Sequence, residues 1–167
     1  MYDKLTPGDI KKMEEEIEYR KLVVRPKALE DLKVARAQGD LSENFEYYAA
    51  KKFKNQNESR IRYLERMIKT ATILDTSAED DEVGINNTVE ILIEEDQSVE
   101  TYRIVTTVRV ASLEGMISNE SPMGKALLGH KVGDRVYVEV NPSYGYYAVI
   151  RKIEKTTDES EDRLNSF

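Results

Sequence analysis

The side chains available for chemistry in this 167-residue chain are few in kind. Cysteine is absent, which removes disulfides, thiolate metal sites and thiol nucleophiles. One histidine, His130, is too little for an imidazole metal site or a Ser-His-Asp arrangement, so hydrolytic chemistry of the chain's own is poorly supplied. Carboxylates remain. Asp40 and Glu43 stand out by position, in Gly39-Asp40-Leu41-Ser42-Glu43-Asn44, where the chain must reverse between two long segments of helical periodicity. On composition alone this is a solvated turn, since surface turns of acidic proteins ordinarily carry a carboxylate or two. A functional reading of the same turn depends on what flanks it.

The flanking segments are the elements that must position those acids. Thr6-Pro7-Gly8-Asp9 predicts a helix start, with a hydroxyl at the N-cap, proline at the first helical position and an acid in the first turn. Ile10, Met13, Ile17, Val24, Ala28, Leu32 and Ala35 then recur at spacings of three, four or seven, an apolar stripe along one helical face. Pro26 predicts a kink or short break near Leu22 to Pro26, followed by a straight run to about Gln38. Gly39 suits the helix stop because positive φ costs it nothing. Beyond the turn, Tyr47, Ala50, Asn57, Ile61, Leu64, Ile68 and Ala71 repeat the rhythm. Two such runs joined by a short turn are most simply an antiparallel helical hairpin, a coiled coil with arms about 45 Å long. Asn57 falls on the apolar face, where a polar residue fixes register.

Charge along the hairpin is biased towards cations. The return arm carries Lys51, Lys52, Lys54, Arg60, Arg62, Arg66 and Lys69 against Glu58 and Glu65, while Lys33 and Arg36 approach the turn from the other side. Two readings stand: a solvated helix surface with pairs such as Glu58 and Arg62, or a basic strip that guides a phosphate backbone towards the acids. Phe45, Tyr47 and Tyr48 beside the turn read as caps on the hairpin core, with stacking on a base as the second reading. The whole chain has a net charge of −7, which argues against indiscriminate nucleic-acid binding. Residues 1–75 hold 16 Lys and Arg against 14 Asp and Glu, and residues 76–167 hold 9 against 18, so the two parts are different objects.

The second part changes period. Residues 76–87 are polar and read as a linker between a coiled-coil hairpin domain (1–75) and a small domain (88–155). Thr88 to Ile93 and Glu100 to Thr107 predict one β-hairpin, and Arg135 to Asn141 with Tyr146 to Glu154 predict a second around Pro142-Ser143-Tyr144-Gly145. A short strand at Gly115 to Ser118 and a helical turn from Ser121-Pro122 to about Leu128 complete an antiparallel sheet with one covering helix, so the fold class is α+β. His130, between that helix and a strand, reads as structural or solvent-facing. Residues 156–167 read as a disordered tail. No apolar run approaches the roughly 20 residues of a membrane span, and the N-terminus lacks signal-peptide order, so a soluble, cytoplasmic protein is expected.

Two motifs in this order resemble a known family. Ala35-Arg36-Ala37-Gln38-Gly39-Asp40-Leu41-Ser42-Glu43-Asn44, followed by Glu46-Tyr47, is similar to the tip signature of bacterial Gre transcript-cleavage factors (GreA/GreB-like). Ile117-Ser118-Asn119-Glu120-Ser121-Pro122-Met123-Gly124-Lys125-Ala126-Leu127-Leu128-Gly129, continued by Gly133-Asp134, is similar to the family's C-terminal signature. The resemblance covers the chain to about Lys155. It implies a C-terminal domain of FKBP-like fold and a transcription elongation factor whose hairpin enters the secondary channel of RNA polymerase to rescue backtracked complexes. Asp40 and Glu43 match the tip acids that help hold a second Mg²⁺ and position the attacking water, the polymerase supplying the other ligands. The resemblance thus implies no nuclease activity of the chain's own, and no ion bound by the chain alone. Lys33, Arg36, Lys51 and Lys52 are the expected guides for the RNA 3′ segment, and Ser121 and Pro122 match the loop that docks at the channel rim. A monomer, one per polymerase, is expected. Phe45 departs from the family pattern, where a small residue is common, and Tyr144 to Tyr147 give the second domain its own surface. The alternatives are a paralogue that binds the same channel and inhibits polymerase, a prolyl isomerase with a coiled-coil adaptor, and a structural coiled-coil adaptor; retention of both acids favours cleavage.

Overall fold

The computed structural model describes residues 4–39, 44–76, 78–109, 115–155 and 164–165, in two compact units, Met1–Ile73 and Leu74–Ser166. In the first unit, α1 (Pro7–Tyr19) opens on a reciprocal cap. The Thr6 hydroxyl accepts from the Asp9 N–H at 3.1 Å, and the Asp9 carboxylate accepts from the Thr6 N–H at 3.0 Å, satisfying two backbone donors that a helix start leaves open.

The interruption expected near Leu22 to Pro26 takes the form of a change in helix type just before Pro26. The helix continues through a π-helical turn, Arg20–Val24, into α2 (Arg25–Ala37). A proline inside an α-helix loses one backbone bond, and its ring collides with the carbonyl four residues back; widening the preceding turn relieves that collision. The widened turn also accommodates an irregularity in the apolar rhythm. Up to Val24 the stripe follows a three-four alternation, but Ala28, Leu32 and Ala35 each lie one residue late, and a π-turn is an insertion of one residue.

The return arm, α3 (Phe45–Thr70), is unbroken and about 39 Å long at 1.5 Å per residue. Its Ile61, Leu64 and Met67 are buried, as are Met13, Ala28, Leu32 and Ala35 of the incoming arm. Ile10, Ile17 and Val24 are half-buried. A two-residue strand β1 (Lys4–Leu5), which periodicity did not reveal, pairs in parallel with β2 (Thr72–Ile73) at the end of the hairpin remote from its turn.

The second unit is a five-stranded sheet built from β3 (Thr88–Ile93), β4 (Ser98–Val105), β5 (Met116–Ser118), β6 (Arg135–Asn141) and β7 (Tyr144–Glu154), with the helix α4 (Pro122–Leu127) over one face. Strand order is β5-β4-β3-β7-β6. All pairings are antiparallel except β4 with β5, which is parallel, so the sheet is mixed at one edge. Met123 and Leu127 of α4 pack on Val89, Ile91, Ile104, Val138 and Ile150.

Two sequence expectations change here. The β6–β7 turn is confined to Pro142-Ser143, with Asn141 paired to Tyr144, and Gly145 lies within the strand. A Cβ at Gly145 would lie 2.2 Å from the Tyr137 hydroxyl oxygen, so the absent side chain is what admits that ring. The stretch expected as a linker also contributes to this unit. Val83 is 1% exposed and joins the core, and Asn86 and Asn87 are buried. The Asn87 side-chain oxygen accepts from Gly84 N–H at 2.6 Å and Lys155 Nζ at 3.0 Å, so its polarity is satisfied inside the fold. Of the tail, only Leu164 and Asn165 lie within the described residues, and Asn165 N–H donates to the Val108 carbonyl at 2.7 Å.

Candidate nucleic-acid interface at the hairpin end

Asp40 and Glu43 lie outside the described residues, but both ends of their loop are described. Gly39 has φ +139°, which a side chain would strain, and it follows the last turn of α2, where the Gln38 N–H donates to the Ala35 carbonyl at 3.2 Å. Asn44 then closes the loop from the other side. Its side-chain oxygen caps α3 by accepting from the Tyr47 N–H at 2.9 Å, and its amide nitrogen donates to the same Ala35 carbonyl at 2.7 Å. One asparagine therefore ties the start of α3 to the end of α2. Sequence reasoning included Asn44 in the motif but gave it no task; asparagine directly before a helical run was the available signal.

The cations expected around the turn sit on the two arms, Lys33 and Arg36 on α2, Lys51 and Lys52 on α3, all exposed. Arg36 lies over the ring of Tyr47, 5.7 Å from its centroid, which links the two arms near the turn. Among the described residues, no carboxylate lies within ion-pair distance of these four cations. The charge distribution further along differs. There Arg25 holds Glu58 through two bonds of 2.7 and 2.9 Å, and Lys21 meets Glu65 at 2.6 Å. Glu58 therefore pairs across the hairpin with Arg25, where a bond to Arg62 on its own helix was expected. Hydrogen bonding from Arg25 holds the Glu58 carboxyl below its usual range.

A polar cluster in mid-hairpin sets the register of these arms. Glu16 accepts from Arg60 at 2.7 and 3.2 Å and from Arg20 at 2.8 Å. Arg20 also donates to the Asn57 side-chain oxygen at 3.0 Å, and Asn57 returns a bond to the Arg20 carbonyl at 3.3 Å, at the π-turn. Burial alone would raise the Glu16 carboxyl, but the bonds from Arg60 and Arg20 outweigh it and hold it below the usual carboxylate range. Asn57 is thus buried and bonded as a register-specifying residue should be. Periodicity missed Arg60, whose charge had placed it in the solvated strip.

In the second unit Ser121 caps α4. Its hydroxyl accepts from the Gly124 N–H at 3.1 Å and donates to the Ser118 carbonyl at 2.6 Å, while Pro122 is exposed at the first helical position. Glu79, Asp81 and Glu82 also converge in this unit, but Lys131 meets Asp81 at 3.1 Å and Lys155 donates to the Glu79 and Glu82 carbonyls at 2.9 and 2.5 Å. His130 is exposed, beside Asp134 at 3.2 Å. Among the described residues, no helix is long and apolar enough to cross a membrane.

Comparison with known proteins covers both units. The family model described as "Transcription elongation factor, N-terminal" (GreA/GreB) matches residues 4–73, and that described as "Transcription elongation factor, GreA/GreB, C-term" matches residues 78–155. The chain is 43% identical to transcription elongation factor GreA of Streptococcus thermophilus over 92% of its length and 96% of that protein's. It is 45% identical to GreA of Geobacillus kaustophilus over 81% and 86% of the two chains. Among solved structures, GreA factor homolog 1 of Thermus thermophilus aligns with a TM-score of 0.41 at 27% identity, covering 93% and 100% of the chains.

Proposed function

Because the chain belongs to the GreA/GreB family of transcription elongation factors, we propose that it enters the secondary channel of bacterial RNA polymerase hairpin first and stimulates cleavage of backtracked RNA. The observation that carries this reading is the Asn44 bond to the Ala35 carbonyl. It ties the two ends of the loop containing Asp40 and Glu43 together at the start of α3, a helix about 39 Å long, beside four cations that have no ion-pair partner among the described residues.

The donor set suits Mg²⁺, a hard ion that takes oxygen ligands and keeps several waters. Two carboxylates are too few for a closed site, so Asp40 and Glu43 would hold the ion only together with ligands of the polymerase. When bound, the ion offsets the negative charge that develops as a phosphodiester is hydrolysed. The chain's own residues do the rest: Asp40 and Glu43 present oxygens and orient water, Lys33, Arg36, Lys51 and Lys52 lead the RNA 3′ segment to them, and Ser121 with Pro122 seats the second unit at the channel rim. The factor therefore lends ligands to the polymerase's nuclease and is not a nuclease itself. It acts as a cytoplasmic monomer.

The test is RNA cleavage in a stalled, backtracked complex with Mg²⁺, comparing wild type with Asp40→Ala and Glu43→Ala. Each variant is expected to lose cleavage by on the order of 100-fold, the scale for removing one directly acting electrostatic group, while still displacing labelled wild type from polymerase. Equal cleavage by all three proteins defeats the reading. Arrest of elongation by wild type without cleavage replaces it with channel inhibition.

A further inference from the structure

Phe45 does not cap the hairpin core. It is the first residue of α3 and is 85% exposed, and Tyr48, one turn further on, is 50% exposed. The capping role belongs to Tyr47, which is half-buried, meets Tyr48 edge-on at 5.5 Å and lies under Arg36. Phe45 is thus left almost wholly facing water beside the turn, and Tyr48, which touches Tyr47 by its edge, keeps half of its surface open.

Their surroundings identify what fits. Spacings of three and four place Phe45, Tyr48 and Lys52 on one strip of α3, and Lys51, three residues beyond Tyr48, flanks it about 60° round from Tyr48 on the side away from Glu46. The strip lies away from the seam formed by Asn57, Ile61 and Leu64. Glu46, the acid of the first turn, falls about 100° round the helix from Phe45. Aromatic faces interleaved with unpaired cations are the chemistry that holds single-stranded nucleic acid, the rings stacking on bases of any identity and the cations following the phosphates. Distances along the helix agree: Tyr48 lies about 4.5 Å and Lys52 about 10.5 Å beyond Phe45, the span of one or two nucleotides.

We propose that Phe45 and Tyr48 form a stacking platform for unpaired bases at the extruded 3′ end of RNA, with Lys51 and Lys52 on its phosphates. This rests on the cleavage reading above and names how the factor grips its RNA. The competing occupant, an apolar pocket in the polymerase, would use Phe45 as a plug; the flanking cations and the paired rings favour RNA.

The experiment uses the full chain and complexes assembled on synthetic RNA whose extruded nucleotides carry either normal bases or abasic sugars. The readout is the factor concentration giving half-maximal cleavage, with polymerase binding followed separately by displacement of labelled factor. With normal bases, Phe45→Ala is expected to raise that concentration roughly 5- to 150-fold, the range for one base stacked on one ring, and Tyr48→Ala to act in the same direction. With abasic RNA both effects should vanish. Phe45→Trp should retain wild-type behaviour, and Phe45→Leu should behave as Phe45→Ala, since an aliphatic side chain has no stacking face. Wild-type behaviour of Phe45→Leu, an equal loss on abasic RNA, or a loss of polymerase binding matching the loss of cleavage would each overturn the platform while leaving the cleavage reading intact. Absence of cleavage by the wild-type factor on every RNA would bring down both.

Discussion

Replacing Gly124 by alanine sets two effects of comparable size against each other. Gly124 lies inside α4, where alanine is favoured over glycine by about 1 kcal/mol through helix propensity. A Cβ there, however, would lie 2.2 Å from the Ser118 carbonyl oxygen and 3.1 Å from the Asn119 Cα. Ordinary contact needs about 1 Å more. The backbone it strikes is held in place: the Ser118 carbonyl accepts from the Ser121 N–H at 3.0 Å and hydroxyl at 2.6 Å, and the Asn119 N–H donates to the Val105 carbonyl at 2.8 Å. The helix must therefore move, carrying Met123 and Leu127 out of the core they fill and loosening the Ser121 cap. Overpacking of this kind costs about 1–3 kcal/mol and a lost cap about 1 kcal/mol. After subtracting the propensity gain, Gly124→Ala should destabilise the second unit by about 1–3 kcal/mol, a large share of the stability of a unit this size. Urea-dependent hydrogen exchange read by mass spectrometry on peptides of β3 and β7 separates this unit from the hairpin. Lys125→Ala, exposed on the same helix, serves as the control and should stay within about 0.5 kcal/mol of wild type. Stability of Gly124→Ala equal to or above that of wild type would show that the carbonyl yields, and the steric reasoning would fail.

Two further outcomes follow from the hairpin. Glu16 is held below its ordinary pKa in the folded state, so its contribution is present above the unfolded value near 4.5 and is lost as pH falls through the folded value. Glu16→Gln should therefore lower the urea midpoint of the helical circular dichroism signal at neutral pH, with the gap from wild type narrowing below about pH 4.5; parallel pH profiles would rule out the Arg60 and Arg20 bonds as the cause. Lys51→Glu with Lys52→Glu should weaken cleavage mainly for longer extruded RNAs and make the residual activity less sensitive to salt, and an unchanged length profile would count against a guiding role.

How much of this was legible beforehand depends on the range of the interaction concerned. The hairpin arms were readable because a helix repeats its buried face every three or four residues, so Met13, Ala28, Ile61 and Leu64 announce themselves locally. Strand segments were readable in the same way, although their ends shifted by one or two residues and the Pro142-Ser143 turn proved tighter than expected. Periodicity was silent where a residue's environment comes from a distant segment. Arg60 reads as a solvated cation until Glu16 is brought across the hairpin to meet it, and Val83 reads as linker until the sheet closes over it.

The sequence by itself determined the two-part organisation, the α+β class, the helical hairpin and the two family motifs, because periodicity, turn chemistry and residue spacing are local properties carried by neighbours in the chain. It also placed Asp40 and Glu43 in the turn between the arms. Tertiary structure alone decided which polar groups are spent inside the fold and which are left over. It assigned Glu58 to Arg25, bound Asn44 across to Ala35, turned the Ser121 hydroxyl inward, and set Tyr47 against Arg36. The same packing left Phe45, Tyr48, Lys51 and Lys52 exposed at the start of α3, because a residue's availability is a remainder, fixed only when every other partner has been placed.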